Sequence, residues 1–183
     1  THKPLYGNLL AGKPFTVNYA MGWTGDIFGE NDVLGADPTT FGLTNGKRGN
    51  NASYTPWSSF AIVEGKDLEF IVNLDKPTEV SKVIFGSLFN PAMRMLPAGG
   101  IAVEVSADGQ QYTQIAEKTL KHDCPETGRI AFTDSIEFEP AQATFLKVKI
   151  KNGGTLRNGV NFEKNNGPEV IPAELWIDEI EAY

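Results

Sequence analysis

Residues 66–110 read KDLEFIVNLDKPTEVSKVIFGSLFNPAMRMLPAGGIAVEVSADGQ, and the alternation inside this stretch decides the fold class. Leu68, Phe70, Val72 and Leu74 alternate with Glu69, Ile71 and Asn73, the two-residue period of a strand with one face in a core. Pro77 is predicted to close that strand, because proline donates nothing to a ladder. Residues 80–89 are apolar on both parities, as in a strand covered on both faces. Ile101, Val103 and Val105 alternate with Ala102, Glu104 and Ser106, and Asp108-Gly109 follows as a tight-turn signal.

Working outward, residues 14–19 predict one short strand, and residues 21–29 form a glycine-rich stretch carrying Trp23 and Phe28. Such a loop is either packed onto the sheets or held out for a ligand. Residues 43–51 are a turn cluster rich in Asn and Gly, and residues 54–62 open a sheet with Trp57 and Phe60 as core aromatics. Asn51-Ala52-Ser53 matches a glycosylation sequon, a match too short to carry weight. On the other side, residues 112–120 predict the second arm of a hairpin. Residues 129–138 predict one strand or two with a break. Leu146, Val148 and Ile150 alternate with Lys147, Lys149 and Lys151 in another strand, whose lysines suit a solvated or edge-protecting face. Residues 152–172 form a long polar loop, the kind that is functional or mobile. No helix is predicted. Many short strands with turns between them specify an all-β sandwich.

The last strand switches parity. Leu175 and Ile177 are apolar on one parity, Ile180 and Ala182 on the other. A β-bulge at Asp178-Glu179 would restore both faces and re-aim a carboxylate; ordinary edge irregularity is the alternative.

The chain has 183 residues, 40% hydrophobic and 21% charged, which suits one soluble domain. A net charge of −7 disfavours nucleic acid, whose phosphates require clustered Lys and Arg. No apolar run approaches the roughly 20 residues of a membrane-spanning helix, so no membrane insertion is expected. The chain starts with Thr1-His2-Lys3-Pro4, as a mature chain or an excised domain would. Cys124 is the one cysteine, so no internal disulfide and no thiolate metal site can form.

Catalytic signatures are weak. There is no Gly-x-Ser-x-Gly elbow, phosphate loop or dinucleotide fingerprint. His122 and Cys124 stand two apart in residues 121–128, which read as a plain surface loop, since catalytic pairs are assembled by fold geometry rather than adjacency. A hard cation is better served: calcium takes carboxylate, amide and carbonyl oxygens, which residues 45–51 and Glu179 could supply.

The motifs Leu43-Thr44-Asn45-Gly46, Trp57, residues 68–74, residues 78–83, residues 103–109 and residues 176–181 occur in an order that resembles the discoidin, or coagulation factor V/VIII type C, family. The match runs from about Leu43 to the end of the chain. That divides the chain into residues 1–42, an N-terminal strand and long loop of the same domain, and residues 43–183, a discoidin-like sandwich. The family includes the family-32 carbohydrate-binding modules. The sequence is most similar to modules at the C-terminal side of bacterial family-20 β-hexosaminidases, the chitobiases.

The resemblance implies a galactose-binding-like jelly-roll β-sandwich with a structural calcium ion. Asn45 and Glu179 occupy the positions of the family's acidic ligands, Asn50 that of a hydroxyl or amide ligand, and Lys47 and Asp178 those of carbonyl ligands. Asn45 stands where the family has Asp, which removes one negative charge and weakens the expected site. For sugar, the implied candidates are Trp23, Arg94, Arg157 and Phe162, with residues 90–97 holding Met93, Arg94 and Met95 where related modules often carry an aromatic. The implied function is a non-catalytic carbohydrate-binding module of a secreted or periplasmic bacterial glycoside hydrolase. Its partners would be N-acetylglucosamine- or galactose-type glycans and its own catalytic domain. The alternative is a structural accessory domain that packs on that catalytic domain and binds no sugar.

Overall fold

A computed structural model describes residues 7–18, 43–44, 46, 48–49, the backbone of 58–60, 67–157 and 170–183. Nine strands appear among them: β1 Phe15–Val17, β2 Ser58–Phe60, β3 Leu68–Phe89, β4 Gly100–Ser106, β5 Thr113–Thr119, β6 Ile130–Lys151, β7 Thr155–Arg157, β8 Val170–Pro172 and β9 Leu175–Ala182. The fold is all-β, in keeping with a galactose-binding-like jelly-roll sandwich.

Two long strands organise it. β3 and β6 each run for 22 residues and pair antiparallel almost throughout. Their first register, Leu68↔Ile150 to Asn73↔Phe145, belongs to a layer completed by β1, β4 and β5. Their second register, Lys82↔Glu137 to Phe89↔Ile130, belongs to a layer completed by β9 and β2. The prediction of separate strands on either side of Pro77, and of separate strands for 129–138 and 146–150, is corrected here. Pro77 interrupts the ladder without ending the strand, because register shifts between Asn73 and Thr78 and between Val80 and Lys82 take up the bend. Asp75 sits at φ 71°, and its N–H donates to Asn73 Oδ1 at 2.8 Å.

The core lies between the layers. Leu68, Phe70 and Val72 of β3, Ile101 and Val103 of β4, and Leu146, Val148 and Ile150 of β6 meet Val83, Phe85, Ile177 and Ile180. Leu10, Phe15 and Leu43 join the same cluster. Burying each alternating apolar set stabilises the fold by about 25 cal/mol for every Å² of apolar surface removed from water.

The β4–β5 hairpin turns at Asp108-Gly109 as its sequence predicts. Gly109 takes φ 76°, and Asp108 Oδ1 accepts N–H bonds from Gln110 and Gln111 at 2.8 and 2.9 Å. The lysine row does not line an edge. β6 lies between β3 and β4, and Lys149 reaches Glu104 at 2.7 Å, Lys151 reaches Glu117 at 2.9 Å, and Lys147 lies over the Tyr112 ring. The short 3-10 turn Pro91–Met93 is the one helical feature among the described residues.

Candidate functional site

Two parts of the molecule hold the candidate residues: the bulge in β9, and the end of the sandwich that carries residues 90–99, 152–157 and 170–174.

The bulge stands where the parity switch puts it. Phe85 pairs with Ile180 but Ser87 pairs with Ile177, so Asp178 and Glu179 together oppose the single residue Gly86. An extra residue in one strand turns consecutive side chains to the same face. Asp178, Glu179 and Glu181 are all buried. Asp178 is well supported: its Oδ2 accepts the Gly49 N–H at 2.9 Å, its Oδ1 accepts the Glu179 N–H at 2.6 Å, and Arg48 Nη1 lies 3.6 Å away. Arg48 Nη2 reaches Glu181 Oε1 at 3.1 Å, and the Tyr183 hydroxyl donates to Glu181 Oε2 at 2.7 Å. A cleft of about 240 Å³ opens beside this cluster, lined by Arg48, Gly49, Ile84, Ala131, Thr133 and Asp178.

Glu179 differs from its neighbours. It is fully buried, and neither carboxylate oxygen meets a donor at hydrogen-bonding geometry. Burial pushes its carboxyl up to about 9; the Gly46 backbone draws it down only in part, while Glu181 and Asp178 push it further up. A buried carboxylate without donors costs several kcal/mol as an anion, so it is held either by a proton or by a cation. A calcium ligand at this position fits that orphaned carboxylate. The Asp178 side chain, by contrast, is already taken by Gly49, Glu179 and Arg48, which suits a contribution through its carbonyl. Among the described residues, no group of three or more His, Cys, Asp or Glu is placed to hold a metal. Asn45, Lys47 and Asn50 lie outside the described residues.

The crossing loops are tied together by their backbones. Residues 90–95 close on themselves through Asn90 N–H to Met95 O and Met95 N–H to Asn90 O, at 2.9 and 3.0 Å. The Glu174 N–H donates to Arg94 O at 2.6 Å, and the Ala173 N–H to Gly154 O at 2.9 Å. Gly153 lies against Pro97 O and Leu96, where a Cβ would come within 2.8 Å of Leu96 Cβ. Met95, expected in the sugar loop, instead packs under it with Leu88 and Trp176.

Arg94 and Arg157 therefore lie on elements of the same end. Both are exposed, Arg94 beyond the 3-10 turn and Arg157 in β7, opposite Val170 of β8. Trp23 and Phe162 lie outside the described residues. Sequence reading missed Glu174, whose Oε2 accepts the Trp176 Nε1–H at 3.1 Å. It also missed Arg48. Nothing local marks Arg48, whose partners Asp178 and Glu181 are remote in the chain, whereas Glu174 stands two residues from Trp176.

His122 corrects another expectation. It is not on a plain surface loop: its ring is largely buried, and Nε2 lies 2.8 and 3.0 Å from the two oxygens of Asp134, beside the Phe132 ring. Cys124 is exposed, and partial desolvation and Asp123 raise its thiol pKa, which disfavours a nucleophilic thiolate.

No family model matches the chain, and no curated protein matches it. Solved structures do. Chitosan-binding module 2 of a chitosanase/glucanase from Paenibacillus sp. IK-5, solved with chitotriose, superposes with a TM-score of 0.53 at 17% identity over 96% of this chain and 99% of that one. Module 1 of the same enzyme gives 0.52 at 19% identity, over 97% and 99%. A fucose binding module from Streptococcus pneumoniae gives 0.51 at 17%, over 96% and 94%. The chain shares its fold with these modules. At these identities the likeness is one of fold, and it extends over nearly the whole length of each chain.

Proposed function

We propose that this protein is a non-catalytic carbohydrate-binding module and that it takes glycans at the end that carries residues 90–99, 152–157 and 170–174. The supporting observation is the full-length likeness of fold to modules named for binding chitosan and fucose, together with exposed Arg94 and Arg157 at one end of the sandwich. Trp23 and Phe162 are the proposed aromatic platforms, since a ring face suits sugar C–H groups. The sequence resemblance supports placement in a secreted or periplasmic bacterial glycoside hydrolase of the β-hexosaminidase type. There the module would hold the enzyme near its glycan substrate by raising effective concentration.

Calcium belongs to the same proposal. Glu179 would hold it by its carboxylate, with Asn45, Asn50 and the carbonyls of Lys47 and Asp178 completing the oxygen set. Bound there, the ion would neutralise the buried carboxylate.

A panel of N-acetylglucosamine, galactose and N-acetylgalactosamine glycans tests the reading. Binding that is lost in Trp23→Ala or Phe162→Ala supports it. Failure to bind any glycan in calcium would leave the structural accessory role. That role draws no support from the described surface, where Met93 and Val170, both at the crossing-loop end, are the large hydrophobics left exposed.

A further inference from the structure

We propose that Arg48 is a fixed internal cation that sets the calcium affinity of the β9 bulge. It occupies Asp178 and Glu181, leaves Glu179 as the carboxylate open to a metal, and holds calcium binding weaker than the three acids alone would give. This role rests on the calcium reading and adds to that site a residue that tunes it.

The geometry divides the acids into two that are taken and one that is not. Asp178 Oδ2 accepts the Gly49 N–H at 2.9 Å, and Glu181 Oε2 accepts the Tyr183 hydroxyl at 2.7 Å. Their other oxygens face one guanidinium, Asp178 Oδ1 at 3.6 Å from Nη1 and Glu181 Oε1 at 3.1 Å from Nη2. The planar fork of an arginine suits such a double contact. Glu179 stands between those two acids in the chain, fully buried, with neither carboxylate oxygen hydrogen-bonded.

Arg48 is close enough for its charge to be felt there. Asp178 Oδ1 both accepts the Glu179 N–H at 2.6 Å and faces Arg48 Nη1, so one oxygen separates the guanidinium from the Glu179 backbone. The side chains of Asp178 and Glu181 are 4% and 0% exposed, and buried charges are poorly screened by salt. Burial is the main cause that raises the Glu179 carboxyl; of the charges acting on it, Glu181 and Asp178 push it further up and Arg48 draws it down.

The sign of the effect on a metal follows. Three ionised carboxylates and one guanidinium leave two negative charges, which one divalent ion balances. Calcium sites are tuned by the charge of the groups around the ion. A resident positive charge lowers that affinity, and its removal raises it. A purely structural role predicts the opposite: if Arg48 only holds the turn that carries Lys47 and Gly49, its loss would scatter the oxygen set and weaken the metal.

Titration calorimetry of the full chain with calcium chloride separates the two, with melting temperatures in chelator and in calcium as a check on folding. Arg48→Gln should bind calcium at least about tenfold more tightly than the wild type, while melting lower in chelator. Arg48→Lys keeps the charge and loses the fork, and should stay within about threefold of the wild type. Arg48→Gln combined with Glu181→Gln restores the net charge and should bring the affinity back towards the wild-type value. Should Arg48→Gln fail to fold, Glu181→Gln alone carries the test and should weaken calcium about tenfold. Weaker binding in folded Arg48→Gln, or unchanged affinity in Glu181→Gln, overturns the role of Arg48 and leaves the calcium site standing. Binding of calcium by neither the wild type nor any variant overturns both.

Discussion

Gly86 faces the Asp178 carboxylate so closely that a Cβ at position 86 would stand 2.6 Å from Asp178 Cγ, and nearer still to both oxygens. The bulge places two residues opposite one, and the missing side chain at that one position is what leaves room for a buried carboxylate.

Gly86→Ala is accordingly expected to destabilise the fold by about 3 kcal/mol, the upper end of what overpacking a close-packed site costs. Urea unfolding gives the value. A loss under about 1 kcal/mol would mean that Asp178 can move aside at little cost.

Arg48 is the one described cation against Asp178 and Glu181, whose side chains are 4% and 0% exposed. Removing one partner of a buried ion pair strands the other, so Arg48→Ala should cost about 3 to 5 kcal/mol. Arg48→Ala combined with Asp178→Asn and Glu181→Gln should recover part of that loss, and unchanged stability in the triple variant would argue against charge as the cause.

Glu179 predicts a pH dependence with a definite sign. Its folded carboxyl is raised from 4.5 to about 9, so folding takes up a proton that the unfolded chain has released. The stability this group contributes is complete below its unfolded pKa and is lost as pH rises through the folded one. In chelator, the melting temperature should therefore fall between pH 5 and pH 9, with Asp178 shifted in the same direction by burial. Calcium at about a hundredfold its Kd should add about 2.7 kcal/mol and release a proton on binding. Glu179→Gln should flatten the pH slope and abolish the calcium response; a melting temperature indifferent to both chelator and pH would remove the site.

His122 secures residues 121–128 against the edge of β6 through Asp134, which pairs in register with inward-facing Phe85. His122→Ala should cost about 2 kcal/mol, from the lost hydrogen bond to a charged, largely buried partner. Hydrogen exchange should show faster opening of β6 near Asp134 than of its C-terminal half. Uniform exchange along β6 would show that the contact secures nothing locally.

The legible parts of this protein are those in which chemistry repeats along the chain. Alternation at Leu68, Phe70 and Val72 assigned those side chains to the core face. Asp108-Gly109 specified a turn. The change of parity between Ile177 and Ile180 located the bulge. Each depends on neighbours one or two residues away, and pleat geometry converts such spacing directly into a face. The candidate site was less legible. Glu179 was marked by the resemblance and the parity switch together, whereas Arg48 and Gly86 carry no local signal. His122 was misread because residues 121–128 look polar, and its partner Asp134 lies 12 residues on.

The sequence by itself determined the strand class, the core faces, one turn and the position where two carboxylates come to lie together. Tertiary structure alone decided that β3 and β6 remain paired through a bend at Pro77, that Gly86 stands opposite Asp178 and Glu179, and that Arg94 and Glu174 meet across residues 80 positions apart in number. The reason is physical. A side chain's face follows from local backbone period, but its partner follows from which strands close against one another, a choice settled by burial summed over the whole core.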